Sequence, residues 1–484
     1  MAAALAMQQA LVQAIAKAEK SVVAIARVKS QFGGPNLGGA EFNPFREPRP
    51  LVAAGATADP TSPDFIPTRF GSGVVVDRNG LILTNYHVID ELFMSEEEPT
   101  EVASDLYVWA ISWKAESPRP MVYPAKIKAA DPRSDLALLE IQAESLEPIR
   151  FANIQDAERE LKKGQIAIAL GNPYAIAKNG SPSASWGIIS NIARKLGPEP
   201  DLLGEPAYKN TLHHFGTLIQ TDAKLNLGTS GGALINLKGE MIGLTTSQAA
   251  LAGYEQAAGY AIPVDDLFHR VVETLKKGRE VEYGFLGVRP RNLNYTERLR
   301  GLQGMVIESV QQGTPAFGKL NNSDVILAVN GKPVYDADGL VLNVGKLPVG
   351  EVVRLTIRGR RDPVEIPLSK YPVRGRKIVT SRDPAWRGLR VDYPSANEDL
   401  VREPLSHQWN ALIEGCVVIT EVEQGSPAAD AGLQAGGLIS HVDNIRVQTP
   451  NEFRDAVTGK KGKVKIRMGD VLDETKAIRT IDTQ

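Results

Sequence analysis

A short glycine-rich run contains the residue best suited to nucleophilic chemistry. Ser230 lies between Gly228 and Gly232, after an apolar run that ends near Thr221 and before a predicted hairpin with its turn at Lys238–Gly239. Acyl transfer needs an exposed hydroxyl and backbone N–H groups directed at the developing oxyanion, and glycines let the chain approach a substrate closely. Ser230 is therefore a candidate nucleophile, and the N–H groups of Gly228 and Ser230 are candidate oxyanion donors. Because such a run is a turn more often than an active site, the assignment depends on its partners.

The first partner is a general base, since a serine hydroxyl is a weak nucleophile by itself. The chain has six histidines. His87 comes directly after the second strand of a predicted hairpin with its turn at Asn79–Gly80, which places it at the rim of a barrel. The other five are interpreted as surface histidines, with the adjacent pair in a strand: His213, His214, His269, His407 and His441.

The second partner is an acid that holds the imidazole in one tautomer and stabilises its cation. Asp135 immediately precedes the apolar run Leu136–Ile141, which is the position expected for a carboxylate beside a buried strand. Asp131 and Asp222 are alternatives in weaker sequence contexts. Asp135 is the preferred orienting acid.

The first half of the chain must supply the elements that position these side chains. Short β-rich runs recur there between glycine turns, a spacing typical of an all-β barrel or sandwich. The predicted strands are Val22–Val28, Gly73–Val76, Leu81–Thr84, Leu136–Ile141, Ile166–Leu170, Trp186–Ile189 and Leu218–Gln220.

Segments of other character flank and interrupt these strands. Polar residues break the alanine-rich start of the chain before a membrane span could form, and Leu11, Ile15 and Ala18 follow helical spacing. A proline-rich stretch over residues 31–69 predicts a mobile loop. A helix is predicted over Val264–Lys277, and it ends at Gly278, where we place a domain boundary.

A weak internal repeat follows that boundary. The run Gly304–Ala316 is similar to Gly415–Ala428, and each copy continues into a further strand-like run. Helix-like segments then occur near Gly339–Lys346 and Asn451–Thr458. The second half of the chain is therefore predicted to contain two copies of one module.

Bulk properties exclude several classes of protein. The chain has 484 residues, which predicts several domains, and its net charge of -2 gives no reason to expect nucleic acid as a partner. The single cysteine, Cys416, excludes an internal disulfide framework and a cysteine-rich zinc site.

The run Gly313–Lys319 approaches a phosphate-binding loop, but Leu320 stands where that loop needs serine or threonine. No metal, nucleotide or other cofactor is expected.

Taken together, these runs resemble the HtrA/Deg family of trypsin-like serine proteases, in the form that has two PDZ domains. The likeness covers most of the chain from Val22 onward, although Thr229 stands where the family commonly has asparagine and Ala233 where it often has proline. The matching runs are Gly71–Gly73, Thr84–Val88, Ser134–Leu138, Ala169–Pro173, Ile219–Ala223, Gly228–Gly232 and Gly259–Pro263.

The resemblance implies a mainly β protein, with a trypsin-like double β-barrel followed by two α+β PDZ domains. It implies that His87 is the general base, Asp135 its orienting acid and Ser230 the nucleophile. Loops that determine specificity are implied at Lys224, Leu225, Asn226, Leu227, Thr246 and Ser247. A peptide-binding loop of the first PDZ domain is implied at Tyr283, Gly284, Phe285, Leu286 and Gly287.

The second PDZ domain has a less similar loop at Trp386–Val391 and a long insertion at Tyr393–Glu414, so its groove is expected to be altered or covered. The expected domain limits are 1–21 for an N-terminal helical segment, 22–278 for the protease, 279–373 for the first PDZ domain and 374–484 for the second.

The implied function is ATP-independent cleavage of unfolded or damaged polypeptides, with PDZ domains that bind peptide segments and peptide C-termini. A catalytically silent chaperone or scaffold with the same domains is the alternative. The resemblance also implies a homo-oligomer, a trimer or a multiple of one, and a place in the periplasm or cell envelope. The chain shows no signal peptide, so a cytoplasmic location stays open.

Overall fold

The computed structural model describes residues 1–27, 67, 69–89, 106–112, 119–143, 145–172, 181–195, 209, 211–246, 258–402, 405–471, 473 and 476–482. The predicted loop over residues 31–69 lies outside these residues except at positions 67 and 69. The chain divides into two compact units. The first comprises Met1–Val281 with Gly375–Ser381, and the second comprises Glu282–Arg374 with Arg382–Gln484.

The first unit begins with a helix and a closed sheet. Helix α1 spans Ala2–Ala18 and is followed by a short 3-10 turn at Glu19–Ser21. The strands are β1 (Val22–Arg27), β2 (Arg69–Val75), β3 (Leu81–Asn85), β4 (Leu106–Ser112), β5 (Arg119–Asp131) and β6 (Leu136–Ile141). They pair in the order β5-β4-β1-β2-β3-β6, and a further pairing of β5 with β6 closes the barrel.

A second barrel follows in the same unit. Its strands are β7 (Ile166–Gly171), β8 (Ser183–Arg194), β9 (Leu218–Thr221), β10 (Ala233–Ile235), β11 (Met241–Thr246) and β12 (Gly259–Pro263). They close in the order β10-β11-β12-β9-β8-β7. Each barrel has a core of apolar side chains, which include Ile25, Val75 and Leu139 in the first and Ala167, Ile219 and Leu234 in the second. This confirms the prediction of a double β-barrel.

In the described ranges, three α-helices accompany the barrels of this unit; a helix at the start of the chain and one near Val264–Lys277 were predicted, and the short helix at Ala157–Glu160 was not. On α1 the buried residues are Ala14 and Ala18, so its small side chains let it approach the barrel closely. Helix α2 spans Ala157–Glu160, and α3 spans Asp266–Lys276. The Asp265 carboxylate accepts a hydrogen bond from Phe268 N at the start of α3, and Gly278 adopts a positive φ of 68° just after its end.

The second unit begins with the first of the two repeated modules. Its strands are β13 (Gly284–Phe285), β14 (Val288–Arg291), β15 (Met305–Val310), β16 (Val325–Val329), β17 (Lys332–Pro333), β18 (Val352–Ile357), β19 (Val364–Pro367) and β20 (Ser369–Lys370). Its helices are α4 (Tyr295–Leu299) and α5 (Ala337–Gly345). The main sheet has the order β14-β15-β16-β18-β19, which leaves β14 at an edge.

The chain then returns briefly to the first unit. Strand β21, Ile378–Val379, pairs with β5 on the outside of the first barrel, at Ala130 and Ala129. The hydroxyl of Tyr86 donates to the Arg376 carbonyl at 3.0 Å. Residues that follow the first module in sequence therefore add a strand to the sheet that carries the predicted catalytic base.

The second module repeats the arrangement of the first. Its strands are β22 (Leu389–Asp392), β23 (Val417–Val422), β24 (Leu438–Val442), β25 (Ile445–Arg446), β26 (Val464–Met468) and β27 (Ile478–Ile481). Its helices are α6 (Glu398–Arg402), α7 (Trp409–Glu414), α8 (Pro427–Asp430) and α9 (Pro450–Val457). Short 3-10 turns lie at Pro394–Ala396 and Ser406–Gln408. Strand β22 occupies the edge that β14 occupies in the first module. None of the helices in the described ranges is long and apolar enough to cross a membrane.

Candidate active site

His87 lies in a 3-10 turn, Tyr86–Val88, that follows β3 directly. Strand β3 pairs antiparallel with β6, with Asn85 opposite Leu136. That register places the end of one strand beside the start of the other. Residues 48 positions apart in sequence, His87 and Asp135, are therefore neighbours.

The Asp135 carboxylate is buried and fully engaged with this turn. It accepts hydrogen bonds from His87 Nδ1 at 2.9 and 3.0 Å, from the His87 backbone N–H at 3.0 Å and from Asn85 Nδ2 at 3.2 Å. Because a carboxylate oxygen accepts, Nδ1 carries the proton and Nε2 presents a lone pair. Within the described part of the chain, Nε2 is buried and makes no hydrogen bond. The tautomer with the proton on Nδ1 and a lone pair on Nε2 is the one that a general base for a serine hydroxyl needs.

Ser230 lies in a tight loop between β9 and β10, and glycine is required there. Gly231 has a φ of 83°, and a Cβ atom built on it would lie 2.1 Å from the Ser72 carbonyl oxygen. Its backbone N–H donates to Thr245 O at 2.9 Å. The hydroxyl of Thr229, where the family commonly has asparagine, donates to Asn226 O at 2.7 Å and so closes the turn before the serine.

Ser72 on β2 connects this loop to the first barrel. Its N–H donates to the Ser230 carbonyl at 2.7 Å, and its hydroxyl donates to the Gly228 carbonyl at 2.7 Å. The same hydroxyl accepts the Asn172 N–H at 2.8 Å. The Gly71–Gly73 run around Ser72 was noted only for its resemblance to the family, so the role of Ser72 in holding the Ser230 loop was missed. The available signal was a serine between two glycines at the start of a predicted strand.

Gly71 shows how closely the two halves of the site meet. A Cβ atom built on Gly71 would lie 2.8 Å from Val88 Cγ1 and 3.4 Å from the Ser230 carbonyl oxygen. The turn of His87 and the loop of Ser230 therefore contact the same residue. The structure brings all three predicted triad residues to one junction between the barrels.

The predicted oxyanion donors lie in the same turn. Gly228 has a φ of 93°, and a Cβ atom there would lie 2.8 Å from Asn172 O. Gly228 and Ser230 are two positions apart, on a backbone that Ser72 holds at both carbonyls. Their role toward an oxyanion stays a prediction.

Five of the six predicted specificity residues lie in the described part of the chain. The Lys224 carbonyl accepts the Ser185 hydroxyl at 2.8 Å, Leu225 packs against Gly259, and Leu227 is 48% exposed beside the serine loop. Asn226 closes the turn described above, and Thr246 is buried at the end of β11. Ser247 lies outside the described residues.

The two alternative acids have structural roles. Asp131 accepts hydrogen bonds from the backbone N–H and the hydroxyl of Ser134, at 2.8 and 2.6 Å, and so holds the turn that leads to Asp135. Asp222 accepts the Ile188 N–H at 2.6 Å. The geometry therefore favours Asp135 as the partner of His87.

The prediction for the two adjacent histidines is wrong. Both His213 and His214 lie in a 3-10 helix over Leu212–Phe215 and not in a strand, and His213 is only 3% exposed. Thr211 caps this helix, and Gly216, with a φ of 101°, ends it. A short helix has no recognisable periodicity, so the adjacent histidines gave no signal of burial.

The predicted peptide-binding loop of the first module borders the open edge of its sheet. Tyr283 is buried and its carbonyl accepts Tyr371 N at 2.8 Å, while Gly284 and Phe285 form β13. Leu286 joins the core, and Gly287 has a φ of 83° where a Cβ atom would lie 2.0 Å from Thr314. The edge strand β14 follows, with α5 in contact with it.

In the second module, residues of the corresponding loop, Trp386–Val391, form backbone hydrogen bonds with one another. Trp386 and Leu389 exchange backbone hydrogen bonds at 3.0 and 2.9 Å, and the Trp386 ring packs edge-on against Phe453 of α9 at 6.1 Å. The Arg387 guanidinium lies over the Trp386 ring and donates to the carbonyls of Gly462 and Ile481. These contacts connect the loop to α9 and to carbonyls of the last part of the second module.

Comparisons with known proteins agree with this architecture. A family model described as a trypsin-like peptidase domain matches residues 71–244, and models described as PDZ domains match residues 284–367 and 418–472. Among solved structures, an HtrA-type protease, AlgW with tripeptide, is 23% identical with a TM-score of 0.48, covering 77% of this chain and 97% of that one. A structural likeness of this size adds nothing to the sequence matches.

The relatives are more informative. The chain is 30% identical over 412 residues to a probable periplasmic serine endoprotease, DegP-like, of Chlamydia trachomatis, covering 83% of this chain and 73% of the relative. It is 30% identical over 400 residues to a protein of the same description from Pseudomonas fluorescens, covering 80% of this chain and 73% of the relative. The chain belongs to the HtrA/DegP family of trypsin-like serine endoproteases and carries two PDZ domains.

Proposed function

We propose that this protease cleaves unfolded or damaged polypeptides without ATP, through a triad of His87, Asp135 and Ser230. The observation that carries the proposal is the hydrogen bonding of the Asp135 carboxylate to both the ring and the backbone of His87, beside the loop of Ser230. Ser72 supports the same assignment, because it binds that loop to the barrel of the histidine.

In this mechanism the Ser230 hydroxyl attacks the scissile carbonyl and transfers its proton to His87 Nε2. Asp135 stabilises the resulting imidazolium through the Nδ1–H bond. The N–H groups of Gly228 and Ser230 bind the oxyanion of the tetrahedral intermediate. The imidazolium then protonates the leaving amine, and a water molecule, activated by the same histidine, hydrolyses the acyl-enzyme. No step requires phosphoryl transfer, so ATP is not needed.

We assign substrate selection to two surfaces. The segment Lys224–Leu227, with Thr246, borders the substrate residue that precedes the cleaved bond, and the prediction for Ser247 concerns a residue outside the described ranges. The loop Tyr283–Gly287 binds the C-terminal carboxylate of a peptide that adds as a strand beside β14, because that strand has an open edge. Extended, unfolded segments meet both requirements, whereas folded proteins present few such strands.

The remaining expectations are part of the proposal. We keep the domain limits 1–21, 22–278, 279–373 and 374–484. We also propose a homo-oligomer built from trimers and a location in the periplasm or cell envelope, where the DegP-like relatives are described. Light scattering of the purified protein and fractionation of cells test these two points.

The decisive experiment compares the wild-type chain with Ser230→Ala on reduced, unfolded casein in buffer without ATP. The proposal predicts cleavage by the wild type and none by the variant. Ser183→Ala is the matched control, because this exposed serine on β8 lies outside the triad. Cleavage by Ser230→Ala at the wild-type rate would refute the assignment of the nucleophile.

A catalytically silent chaperone or scaffold is the second candidate. One observation favours it: within the described residues, His87 Nε2 makes no hydrogen bond, so the contact with the serine hydroxyl is not formed. Free enzymes often form this bond only when substrate is present. Labelling with a fluorophosphonate distinguishes the two, because it requires an activated serine and no substrate. A folded wild-type protein that fails to label would favour the scaffold.

A further inference from the structure

His213 lies buried beneath the turn that leads into Asp135. Its Nε2 is 2.9 Å from the Ser134 carbonyl oxygen. One residue away, the Leu212 N–H donates to the Arg133 carbonyl at 2.9 Å. Two consecutive carbonyls before the predicted catalytic aspartate are therefore bonded to one short 3-10 helix.

The hydrogen bonds of the His213 ring determine its tautomer. A carbonyl oxygen only accepts, so Nε2 carries the proton and donates to Ser134. Nδ1 then accepts from the Thr217 hydroxyl, which lies 2.7 Å away. Burial holds the pKa of His213 below its ordinary value, although the charges of Asp135 and Asp265 act in the opposite direction. The ring is thus a neutral donor with both nitrogens engaged.

The carbonyl that His213 holds controls the conformation of Asp135. Asp135 has a φ of 54°, which a residue with a side chain rarely adopts unless its surroundings maintain it. The Ser134 carbonyl and the Asp135 N–H lie in one peptide plane, and the Tyr86 N–H holds the Asp135 carbonyl on the other side of Cα, so a change in φ has to tilt one of these two peptide planes. A bond to the carbonyl therefore restrains the angle that aims the carboxylate.

The other contacts of Asp135 depend on that angle. Its carbonyl accepts the Tyr86 N–H at 2.9 Å, and its carboxylate accepts the His87 N–H and Nδ1–H. All of these donors lie on the turn after β3. Relaxation of Asp135 toward an ordinary φ would move the carboxylate away from the imidazole.

We propose that His213 is a positioning residue for catalysis: by holding the Ser134 carbonyl, it keeps Asp135 in the left-handed conformation that presents its carboxylate to His87. The inference rests on the proposed triad. It adds a residue that touches neither the substrate nor the reacting atoms and acts only through Asp135.

The choice of substitution depends on a small cavity beside the ring. This cavity has a volume of about 20 Å³ and is lined by His213, Thr217, Asp265 and neighbouring apolar side chains. It has room for about one water molecule. Alanine at position 213 would enlarge it and admit a water that replaces the lost donor. Leucine fills the space without a donor, and glutamine fills it with one.

The test uses the full chain with His213→Leu, His213→Gln and the control His214→Gln. His214 is the adjacent residue, but its Nδ1 accepts the Thr211 N–H and it has no bond to Ser134. The measurements are the rate constant and the end point of fluorophosphonate labelling, and kcat and KM for a peptide substrate. A destabilised protein lowers the end point, whereas a misaligned triad lowers the rate constant.

For His213→Leu we expect a labelling rate and a kcat that fall about 10-fold to 100-fold, with KM and the labelling end point near wild type. His213→Gln restores most of the rate, and His214→Gln stays near wild type. A His213→Leu variant that labels as fast as His214→Gln would overturn the proposal. If His213→Leu does not fold, Thr217→Val decides instead, because it removes the donor to Nδ1: a lowered rate supports the proposal and an unchanged rate overturns it.

A second measurement separates this inference from the proposed function. The hydrogen-bonded Nδ1 proton of His87 gives a low-field proton resonance that exists whether or not the serine reacts. If the wild type does not label, the proposed function fails. Loss of the resonance in His213→Leu and its return in His213→Gln would then still support the positioning role, and an unchanged resonance would refute it.

Discussion

Replacement of Ser72 by alanine tests whether the two barrels are joined at the active site by one hydroxyl. Ser72 is fully buried, and its hydroxyl donates to Gly228 O and accepts from Asn172 N. Each buried polar group that loses its partner costs about 1–3 kcal/mol, so the two lost bonds cost about 2–6 kcal/mol before relaxation. The backbone bond from Ser72 N to Ser230 O remains, which keeps the loop near its place.

Part of this free energy is expected to raise the activation barrier of catalysis. The Gly228 carbonyl loses its hydrogen bond, and Gly228 is a predicted oxyanion-hole residue. About 1.4 kcal/mol corresponds to a factor of ten, so a share of one third to one half, about 0.7–3 kcal/mol, lowers kcat by about 3-fold to 150-fold. The assay is hydrolysis of a peptide substrate, with thermal unfolding measured on the same samples. Ser440→Ala is the matched control, since it removes a buried serine hydroxyl bonded to Arg467 O in the second module.

Two outcomes would refute the reasoning. A Ser72→Ala enzyme with a lowered unfolding temperature and a wild-type kcat would show that Ser72 stabilises the barrels without positioning the loop. An equal loss of kcat in Ser440→Ala would show that the effect is not specific to the site.

The remaining predictions concern packing, backbone conformation and thiol reactivity. Ile378→Asp is expected to destabilise the first unit by about 1–3 kcal/mol, because this half-buried residue packs on the barrel core. Ile445→Asp changes an exposed residue and should have little effect, and thermal unfolding of the two variants makes the comparison. Gly231→Ala is expected to abolish activity, since a carbonyl oxygen would lie 2.1 Å from the new Cβ atom. Gly301 also has a positive φ, but a Cβ atom there would meet no atom within 4 Å, so Gly301→Ala should keep nearly wild-type activity in a peptidase assay. Equal losses of activity in the two variants would show that the clash at Gly231 is not the cause. Burial raises the pKa of the Cys416 thiol to about 12, so it should not react with a disulfide reagent at pH 8 until the protein is unfolded; rapid reaction of the native protein would contradict this.

Much of the candidate site could be predicted because its signals are local. Asn79–Gly80 predicts a tight hairpin, and it places His87 just beyond the second strand. Asp135 precedes an apolar strand, and glycines surround Ser230 because side chains do not fit that turn. Each of these features depends on residues within a few positions of one another, so the sequence displays them directly.

Other features depend on contacts across the fold. The Ser72 hydroxyl bonds to a residue 156 positions away, and β21 joins the barrel although it follows the first PDZ module in sequence. No local pattern marks such pairs, since they exist only once both barrels have closed. His213 is the clearest case, because the prediction of a surface histidine was wrong for a residue that is 3% exposed.

The sequence by itself determined the β-barrel class of the first unit, the two repeated modules and the residues capable of acyl transfer, because dihedral preferences, hydrophobic periodicity and side-chain chemistry are local properties. Only the tertiary structure decided which of those residues meet. The antiparallel register of β3 and β6 brings Asp135 to His87, and the junction of the barrels brings Ser72 to the loop of Ser230. Burial and hydrogen-bond partners are properties of the packed chain, so they could not be deduced from any single segment.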